Sequence, residues 1–183
     1  TRAENRYQPV PEDIPGDVQG VMIASPGNPS GTMLDRQALA ALIARTQEIG
    51  AALVSDEIYH GLDYGARPVS ALELTDDVVV INSFSKYFSM TGWRVGWMVV
   101  PPDMVRTIGR LAANMFICAP HASQVAALAA LSPQADAEAQ ANLAVYAHNR
   151  RLMLERLPAM GFDRIAPPDG AFYIYADVSA LTD

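Results

Sequence analysis

Lys86 stands in the run Asn82-Ser-Phe-Ser-Lys-Tyr-Phe-Ser-Met-Thr-Gly-Trp-Arg-Val-Gly96, directly after the β-branched segment Asp77-Val-Val-Val-Ile81. A neutral amine at a strand mouth is both a base and a nucleophile toward carbonyl carbon. Ser83, Ser85 and Arg94 lie close by in sequence and offer hydroxyl and guanidinium donors, a set suited to a phosphate. Asp56, with Tyr59 three residues on, adds a carboxylate and a phenol. Asn28, in the turn Ser25-Pro-Gly-Asn-Pro-Ser-Gly31, adds an amide. A carboxylate beside a ring nitrogen keeps that nitrogen protonated, and a phenol and an amide are donors to an anionic oxygen. An imine-forming lysine, an anion cradle, an acid for a pyridine nitrogen and donors for a phenolate are together what pyridoxal 5'-phosphate requires of a protein.

The elements that must position these residues alternate along the chain. Val21–Ala24 reads as a strand ended by the proline- and glycine-dense turn. Asp35–Ile49 reads as a helix, with Leu39, Leu42, Ile43 and Thr46 at the helical period and Gly50 closing it. Strands are expected at Ala51–Val54, Val78–Ile81 and Arg94–Val100, and helices at about 103–113, 122–131 and 135–157. Gly170–Ala176 reads as a further strand. Strands joined through helices imply an α/β fold with a mainly parallel sheet. Strands without strict alternation imply helices on both faces. In such sheets, ligands sit beyond the carboxyl ends of the strands, where Asn28, Asp56 and Lys86 fall. A domain boundary is expected near Ala119-Pro120, where the alanine-rich helices begin.

The chain has 183 residues and a formal net charge of −7, which argues against a nucleic-acid partner. Cys118 is the only cysteine, so no intrachain disulfide forms, which suits a cytoplasmic setting. No apolar run is long enough to span a membrane. Three scattered histidines and one cysteine do not make a metal site.

The segments Asn28-Pro-Ser-Gly31, Asp56-Glu-Ile-Tyr59, Ser83-Phe-Ser-Lys86 and Met90-Thr-Gly-Trp-Arg94 together resemble the signature of class I/II aminotransferases, fold-type I pyridoxal-phosphate enzymes. Pro168-Asp-Gly-Ala-Phe-Tyr173 resembles the opening of that family's small domain. The resemblance implies transfer of an amino group between an amino acid and a 2-oxo acid. Lys86 carries the cofactor as an imine and moves the Cα proton. Asp56 pairs with the pyridinium, Tyr59 and Asn28 bind the phenolic oxygen, and Ser83, Ser85 and Arg94 hold the phosphate. It also implies a homodimer, to which Asn114–Pro120 is expected to contribute. Residues 1–119 correspond to the C-terminal part of the cofactor-binding large domain. Residues 120–183 correspond to the interdomain helices and the start of the small domain. Family members are longer and carry the substrate-carboxylate arginine beyond this stretch, so the chain reads as an internal fragment without activity of its own.

The same cofactor residues would serve a β-lyase, or the aminotransferase-like effector domain of a transcription regulator. A dinucleotide site is disfavoured, because the turn after the first strand lacks Gly-x-Gly-x-x-Gly. Each residue also has an ordinary reading. Asp56 suits a turn aspartate, Asn28 a turn residue, and Arg94 a partner for a surface carboxylate. Trp93, Val95 and Trp97 around Arg94 imply a partly buried guanidinium that needs an anion. Trp93 and Trp97 read as core, His60 as structural, Phe84 and Phe88 as packing, and Tyr87 as packing within reach of the cofactor. Glu57 points away from Asp56 along an extended chain.

Overall fold

A computed structural model describes residues 2–179. Residue 1 and residues 180–183, the end of the expected small domain, lie outside the described residues. Its strands are β1 (Gly20–Ala24), β2 (Ala52–Asp56), β3 (Val79–Ser83) and β4 (Gly96–Val99). Its helices are α1 (Arg36–Ile49), α2 (Pro102–Met115), α3 (His121–Ala130) and α4 (Pro133–Arg156). The strands form one sheet in the order β1-β2-β3-β4. β1 runs parallel to β2 and β2 to β3, whereas β4 turns back antiparallel along β3. The sheet is therefore mainly parallel, as expected, with an antiparallel edge.

Sequence chemistry accounts for α1. Asp35 accepts from the Ala38 amide at 2.8 Å, a cap worth about 1 kcal/mol. Gly50 closes the helix with φ 68°, which a side chain would resist. Leu39, Leu42, Ile43 and Thr46 are its buried positions. They pack with Ile23, Leu53 and Val80 from alternate strand positions to make the main core. Each such aliphatic side chain contributes roughly 1.5–3 kcal/mol.

The helical cover is uneven. The opposite strand positions, Met22, Val54, Val79 and Ile81, are not buried, and Met22 is 72% exposed. α2 has no buried residue. All of β4 is exposed, including Trp97, and Trp93 just before it is exposed too. The two tryptophans are thus not core residues. β4 is the sheet edge, where the Phe84 ring meets Trp97 at 5.1 Å and all four strand residues stay exposed.

Two smaller cores join the early and late parts of the chain. Phe84 and Met90, flanking Lys86, pack on Ala127 of α3. Tyr59 and Leu62 pack on Ala171, with Leu143 of α4 beside them. Gly170–Ala176 does not form the expected strand. It makes only two isolated bridges, Asp63 with Gly170 and Ile165 with Ala176. A strand needs a continuous ladder, and the segment turns at Ala171, where φ is 59°.

Candidate functional site

Sheet register gathers the site. Ala24, Asp56 and Ile81 are aligned partners on three parallel strands, so the chain leaves all three at one edge. Neighbouring strands lie about 4.8 Å apart, and groups on adjacent ends are mutually in reach. Asn28 follows β1, Asp56 ends β2, and Lys86 follows β3. Ser83 pairs with Gly96, which places Arg94, just ahead of β4, beside the end of β3. Gly96 permits that closeness, because a Cβ there would lie 2.7 Å from the Asn82 carbonyl oxygen.

Lys86 is half-buried and is the only lysine of the chain. Its Nζ lies 5.6 Å from the centre of the Tyr59 ring and 5.7 Å from that of Phe172. No carboxylate pairs with it among the described residues. The loop bearing it is fixed on both sides. Met90 donates to the Phe84 carbonyl at 3.0 Å. The Tyr87 hydroxyl donates to Asp136 and accepts from Gln140 of α4, each at 2.6 Å. Tyr87 is therefore a tether to α4.

Tyr59 is 3% exposed. Its hydroxyl meets that of Tyr173 at 2.5 Å. Burial, followed by this bond, pushes the phenol well above the usual tyrosine range, and the Asn28 side chain pulls it back. Asn28 and Tyr59 are thus brought together. One oxygen of Asp56 accepts from the Ile58 amide at 3.0 Å, so the turn-aspartate reading holds for that oxygen, while the other has no hydrogen-bond partner among the described residues. The Asn28 loop is braced from outside by Gln8, a buried amide bonded to the Thr32 carbonyl at 2.8 Å.

The anion end is arranged differently from expectation. Ser83 and Ser85 hydroxyls bond each other at 2.9 Å, and Ser83 also reaches the Val95 carbonyl at 3.1 Å. Arg94 is exposed, not partly buried, and donates to the Thr91 carbonyl at 2.8 Å. Of its apolar neighbours, Trp93 is exposed, Val95 packs against the Phe84–Met90 cluster and Trp97 packs on the Phe84 ring, so they leave the guanidinium open.

Sequence reasoning missed three contributors. Phe172 and Tyr173 reach Lys86 and Tyr59 because Gly170 donates to Gly31 at 2.9 Å and Ala171 to Leu62 at 2.8 Å. Glu57, 3% exposed, accepts from Ser55 and from the Ala71 amide, and His60 stands 3.5 Å from it. His60 Nε2 donates to the Ser25 carbonyl at 3.1 Å, tying the Tyr59 segment to the Asn28 loop, in line with its structural reading. A cavity of about 490 Å3 is lined by Arg6, Arg36, Arg67 and Arg150, and by none of the expected cofactor residues. Its guanidiniums are already engaged by Asp169, Glu73 and the Pro168 carbonyl.

The family model for aminotransferase class I and II matches residues 4–183. The chain belongs to this family. It is 47% identical to the valine–pyruvate aminotransferase of Mycobacterium tuberculosis over 98% of its own length and 47% of that protein. A provisionally assigned aminotransferase from Silicibacter pomeroyi superposes at TM-score 0.96 with 70% identity, over the whole chain and 49% of that structure. Thermus thermophilus aspartate aminotransferase, crystallised with maleate, superposes at 0.89 with 30% identity, over the whole chain and 49% of that structure. The chain thus spans about half the length of the relatives it matches. Among the described residues no helix is long and apolar enough to cross a membrane.

The residues present fit pyridoxal phosphate, the cofactor this family uses. An amine with no acid partner faces aromatic walls, a carboxylate keeps one oxygen free, and a phenol and an amide converge beside it. Where a phosphate would have to sit, two half-buried seryl hydroxyls and an exposed guanidinium are present, each held by a local hydrogen bond.

Proposed function

We propose that the protein is an aminotransferase that moves an amino group between an amino acid and a 2-oxo acid, with Lys86 as the covalent anchor of pyridoxal 5'-phosphate. The convergence of Lys86, Asp56, Tyr59 and Asn28 at one sheet edge carries the reading, and Lys86 is the only side-chain amine available. When bound, the cofactor supplies an aldehyde for an amine and a ring that accepts electrons released at Cα. Asp56 holds the proton on the ring nitrogen with its free oxygen. Tyr59 and Asn28 donate to the phenolic oxygen. Ser83, Ser85 and Arg94 bind the phosphate. Lys86, released by the incoming amino acid, takes the Cα proton and returns it one position along, at the carbon that bore the aldehyde. The rings of Tyr59 and Phe172 stand beside its amine at 5.6 and 5.7 Å.

Donor chemistry follows from the same wall. Aromatic faces beside the amine suit an aliphatic side chain better than a second carboxylate, and the relative at 47% identity is named for valine and pyruvate. Valine or a similar aliphatic amino acid is therefore the proposed donor, with pyruvate as acceptor. No observation favours elimination chemistry or an effector-sensing role. Residues 1–119 are assigned to the cofactor-binding domain and 120–183 to the interdomain helices and small domain. Exposed Met115, Phe116 and Ile117 support a homodimer through that stretch.

The test is borohydride reduction of the cofactor-loaded full-length protein that contains this chain, followed by peptide mapping and by assay of alanine formed from valine and pyruvate. The label is expected on Lys86, and Lys86→Ala is expected to lose both label and turnover while retaining some noncovalent cofactor. A label elsewhere, or turnover surviving in the variant, would refute the assignment.

A further inference from the structure

We propose that Tyr173 is a positioning residue whose hydroxyl donates to the Tyr59 oxygen and so aims the Tyr59 proton at the cofactor's phenolic oxygen. The inference rests on the reading of Tyr59 as a donor to that oxygen. Nothing in the motif around Tyr59 points to it, since the two tyrosines are far apart in sequence and meet only through packing. Their hydroxyl oxygens are 2.5 Å apart and their rings cross edge-to-face at 5.7 Å.

The hydroxyl of Tyr173 is held where it is by backbone, not by its own side chain alone. Ala171, fully buried and at φ 59°, donates to the Leu62 carbonyl, and Gly170 donates to the Gly31 carbonyl. These bonds lock the segment against both the Tyr59 turn and the Asn28 loop. A hydroxyl has one proton to give. Once an acceptor is presented to Tyr59, both phenols are satisfied only if Tyr59 donates outward and Tyr173 donates to Tyr59. A chain of two hydroxyls polarises, which makes the terminal one a stronger donor. Burial and the Tyr173 contact keep the Tyr59 phenol protonated throughout the neutral range, so the donor is always loaded.

The experiment titrates the absorbance of the lysine–cofactor linkage in the intact protein. A donor to the phenolic oxygen makes that oxygen less able to hold a proton on the neighbouring linkage nitrogen, and so lowers its midpoint. Tyr173→Phe removes only the hydroxyl and is expected to raise the midpoint by about half a pH unit, the size of one modest hydrogen bond. Tyr59→Phe is expected to raise it further. Tyr173→Phe added to Tyr59→Phe is expected to change nothing more, because the effect passes through the Tyr59 oxygen. An unmoved midpoint in Tyr173→Phe, or an equal shift with and without the Tyr59 hydroxyl, would overturn the proposal. Should Tyr173→Phe fail to fold, 3-fluorotyrosine at position 173, a stronger donor, is expected to lower the midpoint, and no change there would overturn it equally. If no lysine-linked band forms at all, the underlying reading falls and this one with it. If the band forms and its midpoint ignores Tyr173, only this inference falls.

Discussion

Gly170→Ala is expected to damage stability and site together. A Cβ at this position would lie 2.6 Å from Pro26 Cγ, 2.8 Å from the Leu62 carbonyl oxygen and 3.0 Å from Pro26 Cβ. None of these atoms ends a flexible side chain. The Leu62 carbonyl also accepts the Ala171 amide at 2.8 Å, so it cannot swing away without losing that bond. Relief requires the segment 168–173 to back off, which weakens the Gly170–Gly31 bond and draws Phe172 and Tyr173 away from Lys86 and Tyr59. Overpacking of this kind costs about 2 kcal/mol. For a chain of this length that is a fall in Tm of roughly 4–8 °C. Calorimetry measures the first effect, and the pH midpoint of the lysine–cofactor absorbance, raised as in Tyr173→Phe, measures the second. A Tm unchanged within error would refute the close docking. A lowered Tm with an unmoved midpoint would show that the segment packs there without serving the site.

Gly109→Ala should act in the opposite direction: Gly109 is exposed within α2 with nothing within 4 Å of an added Cβ, so loss of backbone freedom in the unfolded chain should stabilise by about 0.5–1 kcal/mol, read as a higher urea midpoint. His60 should make stability pH-dependent. Its burial lowers the pKa, and the Glu57 carboxylate only partly opposes this. The unfolded chain therefore takes up a proton near the ordinary value of about 6.5, before the folded protein does, and stability falls as pH drops from there to the folded midpoint. His60→Gln should flatten urea midpoints across that window and leave those above it little changed in slope. An identical slope in the variant would show that His60 is not its source.

Local chemistry made half of the site legible. Asn28, Asp56 and Lys86 each follow a short apolar run, and in a parallel sheet consecutive strands end on one side. Their convergence thus needed only the strand pattern and the handedness of the connections. α1 was equally legible, because its period and its Gly50 terminus are local, though the structure makes Asp35 its cap and starts the helix at Arg36. The surroundings of Arg94 were not. Trp93, Val95 and Trp97 are apolar enough to imply an interior, but burial depends on what lies opposite, and β4 is an edge strand whose four residues all stay exposed. The segment Gly170–Ala176 has the β-branched and aromatic content of a strand. With single bridge partners at Asp63 and Ile165 in place of a continuous ladder, it settles into bridges and a turn.

The order of residue types alone determined that an amine, a carboxylate, a phenol and an amide would meet at one end of an α/β sheet, since backbone hydrogen bonding allows few ways to stack such strands. Only the tertiary structure decided which aromatic rings stand over Lys86 and which hydroxyl touches Tyr59. Those partners arrive from the far end of the chain, held by the backbone bonds of Gly170 and Ala171 and by the absence of a side chain at Gly170. Such contacts follow from steric fit between distant segments, which no local pattern encodes.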